Sequence, residues 1–130
     1  MKKNYKSVLL VDDDKVSCFI NERILKTFGV TALIHTVNNG QEALNFIQEN
    51  NNNHERFPDL ILLDLHMPVM NGFEFMEDFS KLSYQGEVPK ILILTSSANP
   101  VDREKVEQYP ILGYMNKPLR FEELNKVLLS

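Results

Sequence analysis

The chain has 130 residues, 43% of them hydrophobic and 25% charged, with a formal net charge of -4. That length supports one core burying about two-thirds of the unfolded surface, so neither disulfides nor a structural metal is required for folding. The acidic balance without a basic run argues against direct nucleic-acid binding; the single cysteine, Cys18, fits a reducing, cytoplasmic setting; and no apolar run is long enough for a signal peptide or a membrane span.

Val8-Leu9-Leu10-Val11 reads as a buried strand that ends in Asp12-Asp13-Asp14. From Val16 the apolar spacing becomes helical: Val16, Ile20, Ile24 and Phe28 share one stripe, with Leu25 beside it and Cys18 as a small core hydrophobe, until Gly29 stops the helix. Ala32-Leu33-Ile34 begins a second strand that fades through His35 and Thr36. Asn39, in the turn Asn38-Asn39-Gly40, is placed to cap a helix that buries Ala43, Leu44 and Ile47. Glu49 to Arg56 contains Asn50-Asn51-Asn52-Asn53 and reads as a solvated loop.

Leu60-Ile61-Leu62-Leu63 is a third strand, apolar without alternation and framed by Pro58 and Pro68, as for a strand buried on both faces. Asp64 terminates it, and a loop then runs through Gly72 into a helix carrying Phe73, Phe75, Met76, Phe79 and Leu82. Ile91-Leu92-Ile93-Leu94 is a fourth strand, ending in Thr95-Ser96-Ser97. Asn99 and Pro100 start a weakly amphipathic helix whose main apolar residues are Val106 and Tyr109. Ile111 to Met115 forms the last strand, followed by Asn116-Lys117-Pro118 and a helix with Phe121, Leu124, Val127 and Leu128.

Five strands alternating with five helices, without a hairpin signal, predict an α/β fold with a parallel sheet covered on both faces. Right-handed crossovers favour the doubly wound order 2-1-3-4-5, in which the first and third strands are neighbours at the switch point where ligands bind. Asp12, Asp13 and Asp64 then converge on strands roughly 4.8 Å apart. Carboxylates at that separation repel one another unless protonated or bound to a cation, and an all-oxygen set with open positions suits Mg2+. Helix capping is the plainer reading of Asp12 to Asp14, but it leaves Asp64 unexplained because a loop follows it. Thr95 and Lys117 bring a hydroxyl and an ammonium to neighbouring strand ends, completing a set suited to phosphoryl transfer.

The motifs Val11-Asp12-Asp13-Asp14, Leu63-Asp64-Leu65-His66-Met67-Pro68, Leu94-Thr95-Ser96 and Lys117-Pro118 stand at the expected strand ends in the expected order. With them the chain resembles the receiver domain of two-component response regulators, a flavodoxin-like fold, over essentially its whole length, residues 1–130 as one domain. The resemblance implies that Asp64 accepts a phosphoryl group from a histidine kinase or histidine phosphotransfer protein and catalyses its own phosphorylation and dephosphorylation. It further implies Mg2+ held by Asp13, Asp64 and the backbone carbonyl of His66, with Asp12 acting mainly through water. Lys117 would contact the phosphoryl group beside a cis peptide to Pro118, and Thr95 with Tyr114 would form the switch that remodels the surface of the fourth helix, fifth strand and fifth helix for an output protein. His66 and Ser97 occupy the positions that tune phosphoryl lifetime. The finish at the fifth helix favours a stand-alone receiver acting by docking, with cutting from a longer regulator as the other expectation.

Two readings compete. Asp12-x-Asp14-x-Val16 resembles the first motif of haloacid-dehalogenase-like phosphatases, but only Glu122 and Glu123 follow the lysine, inside a helix, and Asp64 is left idle. A phosphate-independent docking module is the third reading, against which the full set of site residues stands.

Overall fold

A computed structural model describes residues 5–84 and 86–129. The elements run β1 (Ser7–Val11), α1 (Lys15–Thr27), β2 (Leu33–Val37), α2 (Gly40–Glu49), β3 (Leu60–Leu63), α3 (Gly72–Phe79), β4 (Lys90–Thr95), α4 (Pro100–Val106), β5 (Gly113–Asn116) and α5 (Phe121–Leu129). All pairings are parallel and the sheet order is β2-β1-β3-β4-β5, as the alternation predicts.

The period-2 geometry of a strand sends alternate residues to opposite faces, and here both faces are apolar. Leu9, Val11, Ile61, Leu63, Ile91 and Ile93 pack with Ala43, Leu44, Ile47, Phe75, Met76, Phe79 and Val106. On the other face Val8, Leu10, Leu60, Leu62, Leu92, Leu94 and Met115 pack with Leu25, Leu124 and Leu128. This explains why β1, β3 and β4 read as continuous apolar runs. Val11 pairs with Leu63, so the next residues, Asp12 and Asp64, leave adjacent strands at the same edge.

Helix starts follow their caps. Asn39 accepts from the Glu42 amide, Asn99 from Val101, and Asn71 forms a reciprocal capping box with Glu74. Gly29, immediately after the α1 cap Phe28, has φ 66°, the left-handed conformation that glycine adopts at least cost.

The apolar stripe of α1 is placed differently from expectation. Val16, Phe19, Ile20 and Phe28 are exposed, while Cys18 and Leu25 are buried as expected, Ile24 of the stripe packs partly against the same core, and Asn21 is buried with them. The short Asp12–Asp14 connection fixes the helix's rotation from the end of β1, so the sheet's position decides which residues are covered. Phe28 finds a partner at the edge, stacking on Phe121 of α5 at 3.9 Å between ring centroids. The asparagine run is not uniformly solvated either: Asn50 caps α2 and is buried, its Nδ2 donating to the Phe46 carbonyl at 2.9 Å. Helix α4 ends at Val106, leaving Tyr109 in the following turn, and β5 begins at Gly113 rather than Ile111. No helix among the described residues is long and apolar enough to cross a membrane.

Candidate phosphoryl-transfer site

Backbone continuity aims the acids. The Asp12 amide donates to the Val37 carbonyl at 3.0 Å and the Asp64 amide to Val11 at 3.0 Å, so each residue extends its strand's ladder by one position before the chain turns away. Both side chains are buried, whereas Asp13 is exposed at the rim. Carboxylate oxygens of Asp12, Asp13 and Asp64 lie within 4.8 Å of one another. The neighbouring Asp14 takes the capping role, accepting from the Val16 amide and the Ser17 hydroxyl. Capping and clustering therefore divide among the run rather than compete.

Lys117 is the cation within this cluster. Its Nζ stands 2.7 Å from Asp12 Oδ2 and 3.2 Å from Asp64 Oδ2. Burial opposes its charge, but the bonds and field of Asp12 and Asp64 outweigh that and hold its pKa above the ordinary lysine value. For Asp12, burial dominates and raises the carboxyl pKa despite Lys117 and the Asp14 amide. An acidic pocket of hard oxygen donors, with one ammonium offsetting only part of its charge, is chemically suited to a divalent metal ion. The Lys117 amide donates to the Thr95 carbonyl at 2.9 Å, fixing the lysine to the end of β4, and the Lys117–Pro118 peptide is cis, as the resemblance implied.

Thr95 is fully buried at the end of β4, and its Oγ1 accepts from the Ser97 amide at 3.2 Å. Tyr114 lies on β5, with its hydroxyl donating to the Ser97 carbonyl at 3.4 Å and the Arg103 guanidinium 5.2 Å above its ring. Burial, followed by the field of Asp102, raises the Tyr114 pKa. Ser97 thus joins the two predicted switch residues, a link no spacing revealed. Asn116, also missed, donates to the same carbonyl at 2.8 Å.

The His66 side chain turns toward α4, where Nε2 lies 2.7 Å from Asp102 Oδ2. Sequence reasoning passed over Asp102, because an acid in the first turn of a helix is ordinary and nothing local marks it as a partner of a distant loop.

Comparison with known proteins places this arrangement in a family. Residues 8–129 match the response regulator receiver domain. A two-component response regulator from Cytophaga hutchinsonii is similar, with a TM-score of 0.84 and 31% identity over 96% of this chain and 95% of that one. The Mn(2+)-bound form of response regulator Rcp1 is similar at a TM-score of 0.73 and 25% identity, over 94% of this chain and 88% of that one. The sensor histidine kinase CheAY of Helicobacter pylori is 32% identical over 93% of this chain, which spans 14% of that protein. Other curated relatives extend well past the match: the chain spans 77% of one, 52% of another and 18% of a third.

Proposed function

Because the chain belongs to the response regulator receiver family, we propose that it is a single receiver domain whose Asp64 accepts a phosphoryl group from a histidine kinase or a histidine phosphotransfer protein. One observation carries the reading: Lys117 bridges Asp12 and Asp64 inside a three-carboxylate cluster at the switch point of the sheet. A carboxylate oxygen of Asp64 attacks the donor's phosphorus as the N–P bond breaks, and the released imidazole nitrogen takes up a proton. Asp12, Asp13, Asp64 and the His66 backbone carbonyl would hold Mg2+, which supplies positive charge to the equatorial phosphoryl oxygens. Lys117 neutralises a further oxygen.

Phosphorylation adds about -1.5 to -2 charges and three acceptor oxygens at Asp64. The Thr95 hydroxyl, at the end of the neighbouring β4, turns toward them, giving up its bond from the Ser97 amide. Ser97 also accepts from Tyr114 and Asn116, so the change reaches β5 and the adjoining α4 and α5, the surface read by an output protein. A phosphodonor protein has its own foothold beside the acids: exposed Val16, Phe19 and Ile20 on α1 follow directly from the Asp12–Asp14 run, and clustered exposed apolar side chains mark protein contacts. The setting is cytoplasmic, where such donors and Mg2+ occur, and no direct nucleic-acid contact is involved.

Incubation with acetyl phosphate and Mg2+, followed by peptide mapping, tests the reading. Label on the Asp64 peptide, lost in Asp64→Asn, is expected. Label on Asp12 would instead favour a haloacid-dehalogenase-like phosphatase, and no label at all would favour a phosphate-independent docking module.

A further inference from the structure

Ser97, Asp102 and His66 form a side-chain bridge that the phosphoryl chemistry above does not use. Asp102 Oδ2 accepts from Ser97 Oγ at 2.5 Å and lies 2.7 Å from His66 Nε2. Asp102 is 8% exposed, so its carboxylate depends on these partners in place of water. The Ser97 bond first and the His66 bond second hold its carboxyl below the usual carboxylate range. An ionised carboxylate only accepts, so His66 Nε2 carries the hydrogen and donates it.

The bridge joins segments that flank the phosphoacceptor. His66 is in the loop after β3, two residues beyond Asp64; Ser97 is in the loop after β4, two residues beyond Thr95; Asp102 is in the first turn of α4. Because β3 and β4 are adjacent, with Leu63 paired to Ile93, His66 crosses the gap between the strand ends bearing Asp64 and Thr95. The imidazole is held on its other flank by Phe73 of α3, edge-on at 5.9 Å between ring centroids. Its side chain is nonetheless 59% exposed, so the ring is an outer wall with one side in solvent rather than a core residue.

We propose that Asp102 is a positioning residue for loss of the phosphoryl group: it pins the His66 imidazole across the Asp64–Thr95 gap, where the ring restricts the approach of water. The proposal rests on Asp64 as phosphoacceptor. In the step it slows, water oxygen bonds to phosphorus, the bond from phosphorus to the Asp64 oxygen breaks, and its electron pair returns to the carboxylate. Both water protons leave on dihydrogen phosphate. Without the Asp102 carboxylate the ring rotates into solvent, and water reaches phosphorus more often.

The test measures autodephosphorylation after labelling with acetyl phosphate and Mg2+ in wild type, Asp102→Ala, Asp102→Asn, His66→Ala and the His66→Ala/Asp102→Ala double variant. Asp102→Ala and His66→Ala should each accelerate phosphoryl loss about five- to tenfold, the net scale of one hydrogen bond. Asp102→Asn, which keeps an acceptor oxygen for Nε2–H, should recover much of the lifetime. The double variant should match His66→Ala alone, since a positioning residue has no effect once the group it positions is gone. A general loosening of α4 would add to the His66→Ala effect and overturns the proposal, as do unchanged or slower rates in the single variants. Absence of label on wild-type Asp64 is a separate result, seen before any rate is measured, and it overturns the phosphoacceptor reading itself.

Discussion

The Lys117 ammonium stands 3.2 Å from Asp64 Oδ2, joining residues 53 positions apart in sequence at the ends of β3 and β5. The same nitrogen is 2.7 Å from Asp12, so one cation is shared between two buried carboxylates. Removing one member of a buried ion cluster leaves uncompensated charge. Lys117→Gln is therefore expected to lower stability by about 3 kcal/mol in metal-free buffer. Mg2+ should recover more stability for the variant than for wild type, as read from urea midpoints with and without the ion. Equal Mg2+ gains in both proteins would show that Lys117 and the ion do not offset the same carboxylates, and no gain in either would contradict the cluster's role as a cation site.

Gly72 opens α3 against the backbone that follows β3. A Cβ there would meet the Asp64 carbonyl oxygen at 2.5 Å and Leu65 Cα at 2.8 Å, both backbone atoms that cannot swing aside. Gly72→Ala should destabilise by about 2–3 kcal/mol, within the range for overpacking. It should also slow labelling of Asp64 by acetyl phosphate. Gly86→Ala, where an added Cβ meets nothing within 4 Å, is the control and should leave both measurements unchanged.

Val69, in the loop between Asp64 and α3, has φ 72° and is 82% exposed. A β-branched residue in the left-handed region is strained, at a cost on the order of 1–3 kcal/mol, and this one has little burial to offset it. Val69→Gly should raise stability by about 1 kcal/mol once the extra chain entropy of glycine in the unfolded state is set against the relief. Thermal unfolding measures it, and a lower melting temperature would show that Val69 makes a compensating contact.

His35 gives the fold an acid-sensitive point away from the site. Its Nε2 is buried without a hydrogen-bond partner among the described residues, and its ring lies 4.8 Å from Phe46. Burial first, and Arg56 second, lower its pKa from the ordinary 6.5. The unfolded chain therefore binds more protons near that pH, and the linkage makes stability rise with pH. The contribution is complete above about 6.5 and is lost as pH falls through the lowered folded value. Urea midpoints of wild type and His35→Gln between pH 8 and pH 5 should converge toward acid; parallel curves would exclude His35 as the cause.

The exposed apolar face of α1 separates docking from chemistry. Phe19→Ser removes a side chain that is 61% exposed, so folding stability should change by no more than about 0.5 kcal/mol. Labelling by acetyl phosphate, which needs no protein contact, should be unaffected, while transfer from a phosphohistidine protein should slow. Equal slowing with both donors would place Phe19 in the folding of the site instead.

The sequence by itself determined the sheet and the identity of the acids. Apolar runs such as Leu60–Leu63 have one stable destination, a strand covered on both faces, and their abrupt ends at Asp64 and Asp12 follow from the expense of extending charge into that core. Strand-end position and crossover handedness then bring Asp12, Asp13, Asp64, Thr95 and Lys117 to one edge, because these constraints act through local pattern and topology. Helix rotation and long-range side-chain pairing lay beyond that reach. Val16 and Ile20 of α1 are apolar yet uncovered, since the short connection from β1 decides which side of the helix meets the sheet. Asp102 shows the same limit at the site: its spacing says only that it begins a helix, and its partnership with His66 arises when the loops after β3 and β4 are folded side by side. Asp64 and its neighbours at the strand ends were legible in the order of residues, while the side chains that border Asp64 were decided by packing among segments that the chain keeps far apart.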